Sequence, residues 1–208
     1  MVTRRSVPTP GQGEQPISLV FDIGQGAGLS GASGVQPFLP PLLAGALARG
    51  DIAIDFEGSG WQFLESSGFL LAVLAVAVIW YVAERSGANR DVLRIGALVL
   101  GAGLGAVLFA GSLAEGGSSA IPGVVAGVAC AAVAFLAADG LLRRAARRLD
   151  EDAAGFLRLY ADGTALALAA IAIFVPPVAF LAIAAFALVL IRQRAAGDRK
   201  YAGLRILR

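Results

Sequence analysis

Polar side chains recur along the first apolar segment of the chain, which spans residues 17–48. They are Asp22, Gln25, Ser30, Ser33 and Gln36. Positions 22, 25, 29, 33 and 36 share one face of an α-helix, so a helix that continues to residue 33 gathers Asp22, Gln25 and Ser33. Such a face predicts a polar lining for a small solute or an ion. The competing interpretation is that Asp22 lies at the membrane interface while the other side chains bond neighbouring helices.

Two acid and arginine pairs lie further along the chain at helical spacing. Arg158 precedes Asp162 by four residues, and Asp139 precedes Arg143 by the same distance. Residues four apart meet on one helix face, so each pair is predicted to form a structural ion pair. An ionisable group inside a membrane helix is also a functional-site hypothesis, which makes Asp162 a second candidate for ion or substrate binding.

Glycine-rich stretches suggest helix packing and no catalysis. "GQGAG", "GAGLG" and "GVVAG" each have GxxxG spacing, and none follows a strand or carries a Walker lysine. The chain has no histidine, the commonest metal ligand, and no spacing makes its carboxylates converge with a nucleophile. The sequence therefore predicts no enzyme, no metal site and no cofactor.

The composition is typical of a membrane protein. Hydrophobic residues make up 57% of the 208 positions and charged residues 15%, against about 45–50% and about 25% in soluble domains. The 27 glycines suit close helix packing in lipid, within the chain, between two copies or against a partner membrane protein. The net charge of +2 implies no nucleic-acid partner. The partner expected from composition is the lipid bilayer.

The apolar segments predict a multi-pass helical fold. They span residues 17–48, 68–83, 95–114, 120–138 and 163–191, and one crossing takes roughly 20 residues. Pro176 and Pro177 break the last segment. A helical hairpin at that point places two arginine-rich stretches on one side, as the positive-inside rule requires.

We therefore predict an all-α, polytopic membrane protein with about six transmembrane helices. The helical domain covers residues 17–194, between a flexible tail at 1–16 and a basic tail at 195–208. The distribution of arginines predicts that both termini lie in the cytoplasm.

The first segment must be discontinuous, because a straight helix of its length would be about 48 Å long, against a hydrocarbon core of about 30 Å. Gly31, Ser33 and Gly34 weaken the helix, and three prolines between residues 37 and 41 remove amide donors. We predict that residues 31–37 are non-helical and buried in protein. A single broken crossing is favoured, and a re-entrant hairpin with the tail outside is the alternative. An echo of this segment at residues 116–131 suggests a duplication, which a low-complexity composition also explains.

A family resemblance rests on several of these stretches. "GLSGASGVQPFLPPLLAGALARG", "SGFLLAVLAVAVIWYVAE", "GAVLFAGSLA" and "IPGVVAG" together resemble an uncharacterised family of small bacterial integral membrane proteins, known as a domain of unknown function. The resemblance implies a helical fold in the bacterial cytoplasmic (inner) membrane and no activity. Members often carry a basic residue where this chain has Gln36.

Two functional classes are consistent with the sequence. The first is a small-solute or ion transporter, or a channel-like protein, that uses the broken first helix as its binding element. The second is a non-catalytic membrane scaffold or accessory subunit whose helix breaks serve packing alone. A water-accessible cavity shared by Asp22, Gln25, Ser33 and Asp162 would favour the first class, and side chains that plug this space would favour the second.

Overall fold

The structure, a computed structural model, describes residues 15–56, 59–147 and 151–202. These ranges hold seven α-helices and one short 3-10 helix, and they contain no strand, which confirms the all-α fold. In chain order the elements are α1 (Gln15–Val35), α2 (Leu39–Ala48), the 3-10 helix (Gln62–Glu65), α3 (Ser67–Arg85), α4 (Arg90–Glu115), α5 (Ala120–Ala146), α6 (Glu151–Phe174) and α7 (Pro176–Ala202). The predicted tail at 1–16 lies almost wholly outside the described residues.

Five helices, α3 to α7, are long and apolar enough to cross a membrane. Their outward faces are apolar: in α3, for example, Leu71 is 64% exposed and Ile79 is 68% exposed. Continuous apolar surface of this extent is stable in lipid and not in water. The chain is therefore a multi-pass integral membrane protein.

Helix α1 lies at the centre of the bundle, where it contacts α2, α4, α5, α6 and α7. It runs antiparallel to α4. Near the start of α1, Asp22 lies against Gly116, the residue that follows α4. Eight residues later, the Ser30 hydroxyl donates to the carbonyl oxygen of Gly105 at 2.6 Å. The start of α1 therefore lies at the end of the bundle where α4 stops.

Helix α2 returns toward that same end. Gly45, near the end of α2, packs on Leu64 of the 3-10 helix, and Leu64 packs on Gly111 near the end of α4. At the tip between α1 and α2, the ring of Phe38 lies 6.0 Å from the ring of Trp80, close to the opposite end of the bundle. Helices α1 and α2 thus form a re-entrant hairpin.

The two ends of the bundle differ in charge. We call the end that holds Asp22, Asp55 and Glu115 the acidic end, and the end that holds Arg94 and Arg143 the basic end. The single crossing expected for residues 17–48 is wrong, because both outer ends of the hairpin lie at the acidic end. The re-entrant alternative matches the structure, in which five of the described helices are long and apolar enough to cross a membrane.

The break in the hairpin is shorter than expected. Helix α1 continues to Val35, so the expectation that residues 31–35 are non-helical is wrong, and the break covers residues 36–38. Pro37 explains its position, because a proline disfavours the α conformation of the preceding Gln36 and lacks an amide donor. The other two prolines lie in the first turn of α2, where amides have no intrahelical partner.

Glycines let the backbones of α1, α4 and α5 touch one another. A methyl group on Gly101 would lie 2.7 Å from the carbonyl oxygen of Ser33, and one on Gly127 would lie 2.6 Å from that of Gly105. Gly34 lies against the Ala131 carbonyl in the same way. The close helix packing predicted from the GxxxG stretches is confirmed within the chain.

The Pro-Pro hairpin between α6 and α7 is also confirmed. Val175 is the one residue between the two helices, and Pro176 begins α7. A methyl group on Gly24 would lie 2.5 Å from the Pro176 carbonyl oxygen, so this turn rests directly on α1. The suggested repeat stays a prediction: its second copy, residues 116–131, covers the loop after α4 and the first part of α5.

Reporter fusions test the re-entrant hairpin. Because α1 and α2 both open at the acidic end, a reporter at the N-terminus should report the same side as one inserted at Gly117. A reporter fused after Gly197 should report the other side. An N-terminal reporter that shares a side with the Gly197 fusion would contradict the hairpin.

Paired alanine substitutions in "GAGLG" test the packing of α1 against α4. Gly101→Ala should destabilise the protein by about 1–3 kcal/mol, because the added methyl group meets the backbone of α1. Gly103→Ala is the matched control: nothing lies within 4 Å of its methyl position, so stability should stay equal or rise by up to about 1 kcal/mol. Thermal unfolding in detergent measures both, and equal effects would argue against the contact.

Candidate functional site at the two ends of the central helix

The tip of the hairpin holds a polar contact inside the membrane region. The side-chain amide of Gln36 donates to a carboxylate oxygen of Asp162 at 2.5 Å. Asp162 lies six residues after Phe156, the start of the apolar span of α6, which places it about 9 Å along that span. The break between α1 and α2 thus brings an amide and a carboxylate together at membrane depth.

Asp162 has no basic partner among the described residues. The expected pair with Arg158 is absent, and Arg158 instead lies 3.1 Å from Glu84 of α3. Helix packing explains the difference from the prediction. The hairpin tip places Gln36 against Asp162, whereas the side chain of Arg158 is largely exposed and contacts Glu84 of α3. An exposed pair of this kind contributes little to stability.

Asp139 lies at the basic end and contacts two arginines. It is 2.8 Å from Arg143 of the same helix and 2.9 Å from Arg94 of α4. The spacing of residues in the sequence predicted the contact of Asp139 with Arg143. It could not predict the contact with Arg94, because spacing does not show which faces of α4 and α5 meet. This cluster joins two helices.

The serines of α1 serve packing. Ser30 and Ser33 are completely buried. The Ser30 hydroxyl donates to the Gly105 carbonyl, and the Ser33 hydroxyl donates to the carbonyl of Leu29 at 3.0 Å in its own helix. Neither hydroxyl is left to line a cavity, so the structure does not show the continuous polar face expected along α1.

A second polar group lies at the acidic end. The Gln25 side chain donates to Glu115 at 3.4 Å, and the other carboxylate oxygen of Glu115 accepts the Asp55 amide at 3.1 Å. One carboxylate oxygen of Asp22 is buried and accepts no hydrogen bond from a described residue. Two carboxylates, Asp22 and Glu115, therefore lie at the mouth of the hairpin.

Sequence reasoning did not connect Glu115 with Asp22 and Gln25. Under the single-crossing prediction, Asp22 was expected at the other end of the bundle. The available signal was that Glu115 begins the connection at residues 115–119, which is expected outside. Combined with the re-entrant alternative, that loop would have placed Glu115 beside the start of α1.

The arrangement puts carboxylates at both ends of one central helix. Asp22 and position 36, the contact point of Asp162, are 14 residues apart, or about 21 Å along α1. Residues 24–34 between them are buried throughout. Carboxylates can exchange protons or bind cations, whereas the described residues contain no group of three side chains suited to hold a metal ion.

These features define a polytopic membrane protein built around a re-entrant helical hairpin. Residues 23–195 match the family model described as a domain of unknown function, DUF4126. The chain belongs to that family, which confirms the resemblance noted in the sequence. No curated protein and no solved structure matches it.

Proposed function

We propose that the protein is a transporter for a cation, or for a small solute coupled to a cation, and that the α1–α2 hairpin is its binding element. The observation that carries this proposal is the contact of Gln36 with Asp162 at the hairpin tip. A carboxylate at membrane depth without a basic partner costs stability, so its presence there indicates a functional site. The proposal involves no catalytic step.

Residues 24–34 of α1 are buried, as we expect if the structure is the closed state of such a transporter. The carboxylates at the acidic end and Asp162 at the tip would be the two stations between which a cation moves. Broken helices that end at membrane depth are the usual binding elements of secondary transporters. Access would then require the hairpin to move relative to α6.

We further propose that the basic end faces the cytoplasm of a bacterial inner membrane. Helix ends and loops there carry Arg85, Arg90, Arg94, Arg143, Arg144, Arg147, Arg158, Arg192 and Arg194, whereas Arg49 lies near the acidic end. The positive-inside rule favours this orientation. It keeps the C-terminal side of α7 in the cytoplasm and moves the start of α1 to the opposite face, in place of the expectation that both termini are cytoplasmic.

A non-catalytic scaffold is the second candidate. It is favoured by Ser30 and Ser33, whose hydroxyls are satisfied inside the packed bundle. In that case the hairpin would remain sealed, and Asp162 would only fix the tip. The two candidates differ in whether water ever reaches residue 36.

Cysteine accessibility separates the two candidates without knowledge of the substrate. In a Cys130→Ser background, Gln36→Cys should react with a membrane-impermeant methanethiosulfonate reagent, because a binding element meets water during part of its cycle. Ser112→Cys is the control, since Ser112 is completely buried in α4. If position 36 is as unreactive as position 112, the scaffold is supported.

Substitution of Asp162 tests its role in ion movement. Asp162→Asn should abolish flux of protons or monovalent cations into proteoliposomes, because asparagine cannot change charge. Folding should be nearly intact: asparagine still accepts the Gln36 bond, and polar contacts in membranes average about 0.6 kcal/mol.

Arg158→Gln is the matched control for this experiment, because Arg158 lies one turn away and contacts Glu84 instead. Its flux should equal that of the unmodified protein. Flux that survives Asp162→Asn would remove Asp162 from the mechanism.

A further inference from the structure

A cavity of about 430 Å³ opens at the basic end, between α4, α5 and α7. Five arginines line it: Arg94, Arg143, Arg144, Arg147 and Arg194. Arg94 lies in α4, Arg194 lies in α7 and the other three lie at the end of α5, so the cavity is a product of the fold. Neither the hairpin nor Asp162 contributes to it.

The cavity has a large excess of positive charge. Among the residues whose side chains the structure describes, Asp139 is the one acidic lining residue, so five arginines against one aspartate leave an excess of four charges. Asp139 engages Arg94 and Arg143. Arg144, Arg147 and Arg194 lie within 4.0 Å of no carboxylate among the side chains described. An anion in the cavity would contact these three guanidinium groups.

The walls of the cavity are held in place by specific contacts. The Gln193 side chain of α7 donates to the Ala137 carbonyl of α5 at 3.0 Å. Gly140 makes this approach feasible, because the Gln193 side chain occupies the space a methyl group would need. The helices that carry four of the five arginines, α5 and α7, are thus fixed to each other.

The lining also has an apolar part. Leu136 of α5 and Leu190 of α7 lie on the membrane side of the arginines. A free inorganic phosphate would use the guanidinium groups alone. A phospholipid would use both parts, with its phosphate on the arginines and the start of its acyl chains on the leucines.

We propose that this cavity binds the phosphate headgroup of an anionic phospholipid from the leaflet at the basic end. Arginine is suited to this because its planar group donates two parallel hydrogen bonds to phosphate oxygens. Basic pockets between transmembrane helices recognise such headgroups. The inference is independent of the transport proposal, since a transporter and a scaffold could equally hold this lipid.

The test uses the full chain in mixed micelles of phosphatidylcholine and phosphatidylglycerol, with bound lipid counted by native mass spectrometry. The unmodified protein should retain phosphatidylglycerol in preference to phosphatidylcholine. The variant with Arg144→Gln, Arg147→Gln and Arg194→Gln should lose affinity by roughly fivefold per arginine, or on the order of 100-fold in total.

A second triple variant, with Arg85→Gln, Arg90→Gln and Arg192→Gln, removes the same charge from the basic end outside the cavity. It should keep its affinity within about twofold, since long-range attraction between exposed charges is screened by salt. Thermal unfolding of both variants without phosphatidylglycerol establishes that they are folded.

Three results would overturn the proposal. They are equal retention of both lipids by the unmodified protein, equal losses in the two triple variants, and displacement of phosphatidylglycerol by inorganic phosphate at similar concentration. The last result would assign the cavity to a free phosphate instead of a lipid. Single substitution Arg194→Gln repeats the test if the triple variant does not fold.

Discussion

A helix rich in glycine and serine can lie inside a membrane only if other helices surround it, because lipid neither bonds its polar groups nor fills the space its missing side chains leave. Helix α1 is surrounded in this way. The backbone of α4 approaches it at Gly101 and Gly105, the backbone of α5 approaches it at Gly34, and the turn between α6 and α7 rests on Gly24. The arrangement of the long helices follows from the need to enclose this one.

That enclosure also decides where polar groups can function. The middle of α1 is buried, and the hydroxyl groups of Ser30 and Ser33 donate to carbonyl groups within the packed bundle. Charged groups lie instead at the ends of α1, as Asp22 does, or at the break, where Gln36 meets Asp162. The two ends of the bundle differ in charge: acidic side chains lie where the hairpin opens, and arginines line a cavity at the other end.

The sequence was sufficient for features that depend on local chemistry. Hydropathy identified the spans α3 to α7, and Pro176 with Pro177 located the last hairpin, because these signals act within a few residues. The path of residues 17–48 depends instead on contacts between distant helices. Gly31 and Gly34 appeared to break the helix when judged by propensity alone, whereas packing against α5 and α7 keeps them helical. The partners of Asp162 and Glu115 were hidden for the same reason.

The position of α1 in the chain has a consequence for synthesis. Among the described residues, it is not one of the helices apolar enough to span a bilayer. Its main partners, α4 to α7, are translated later. Helix α1 therefore depends on helices that are synthesised after it to cover its polar and glycine-rich surface.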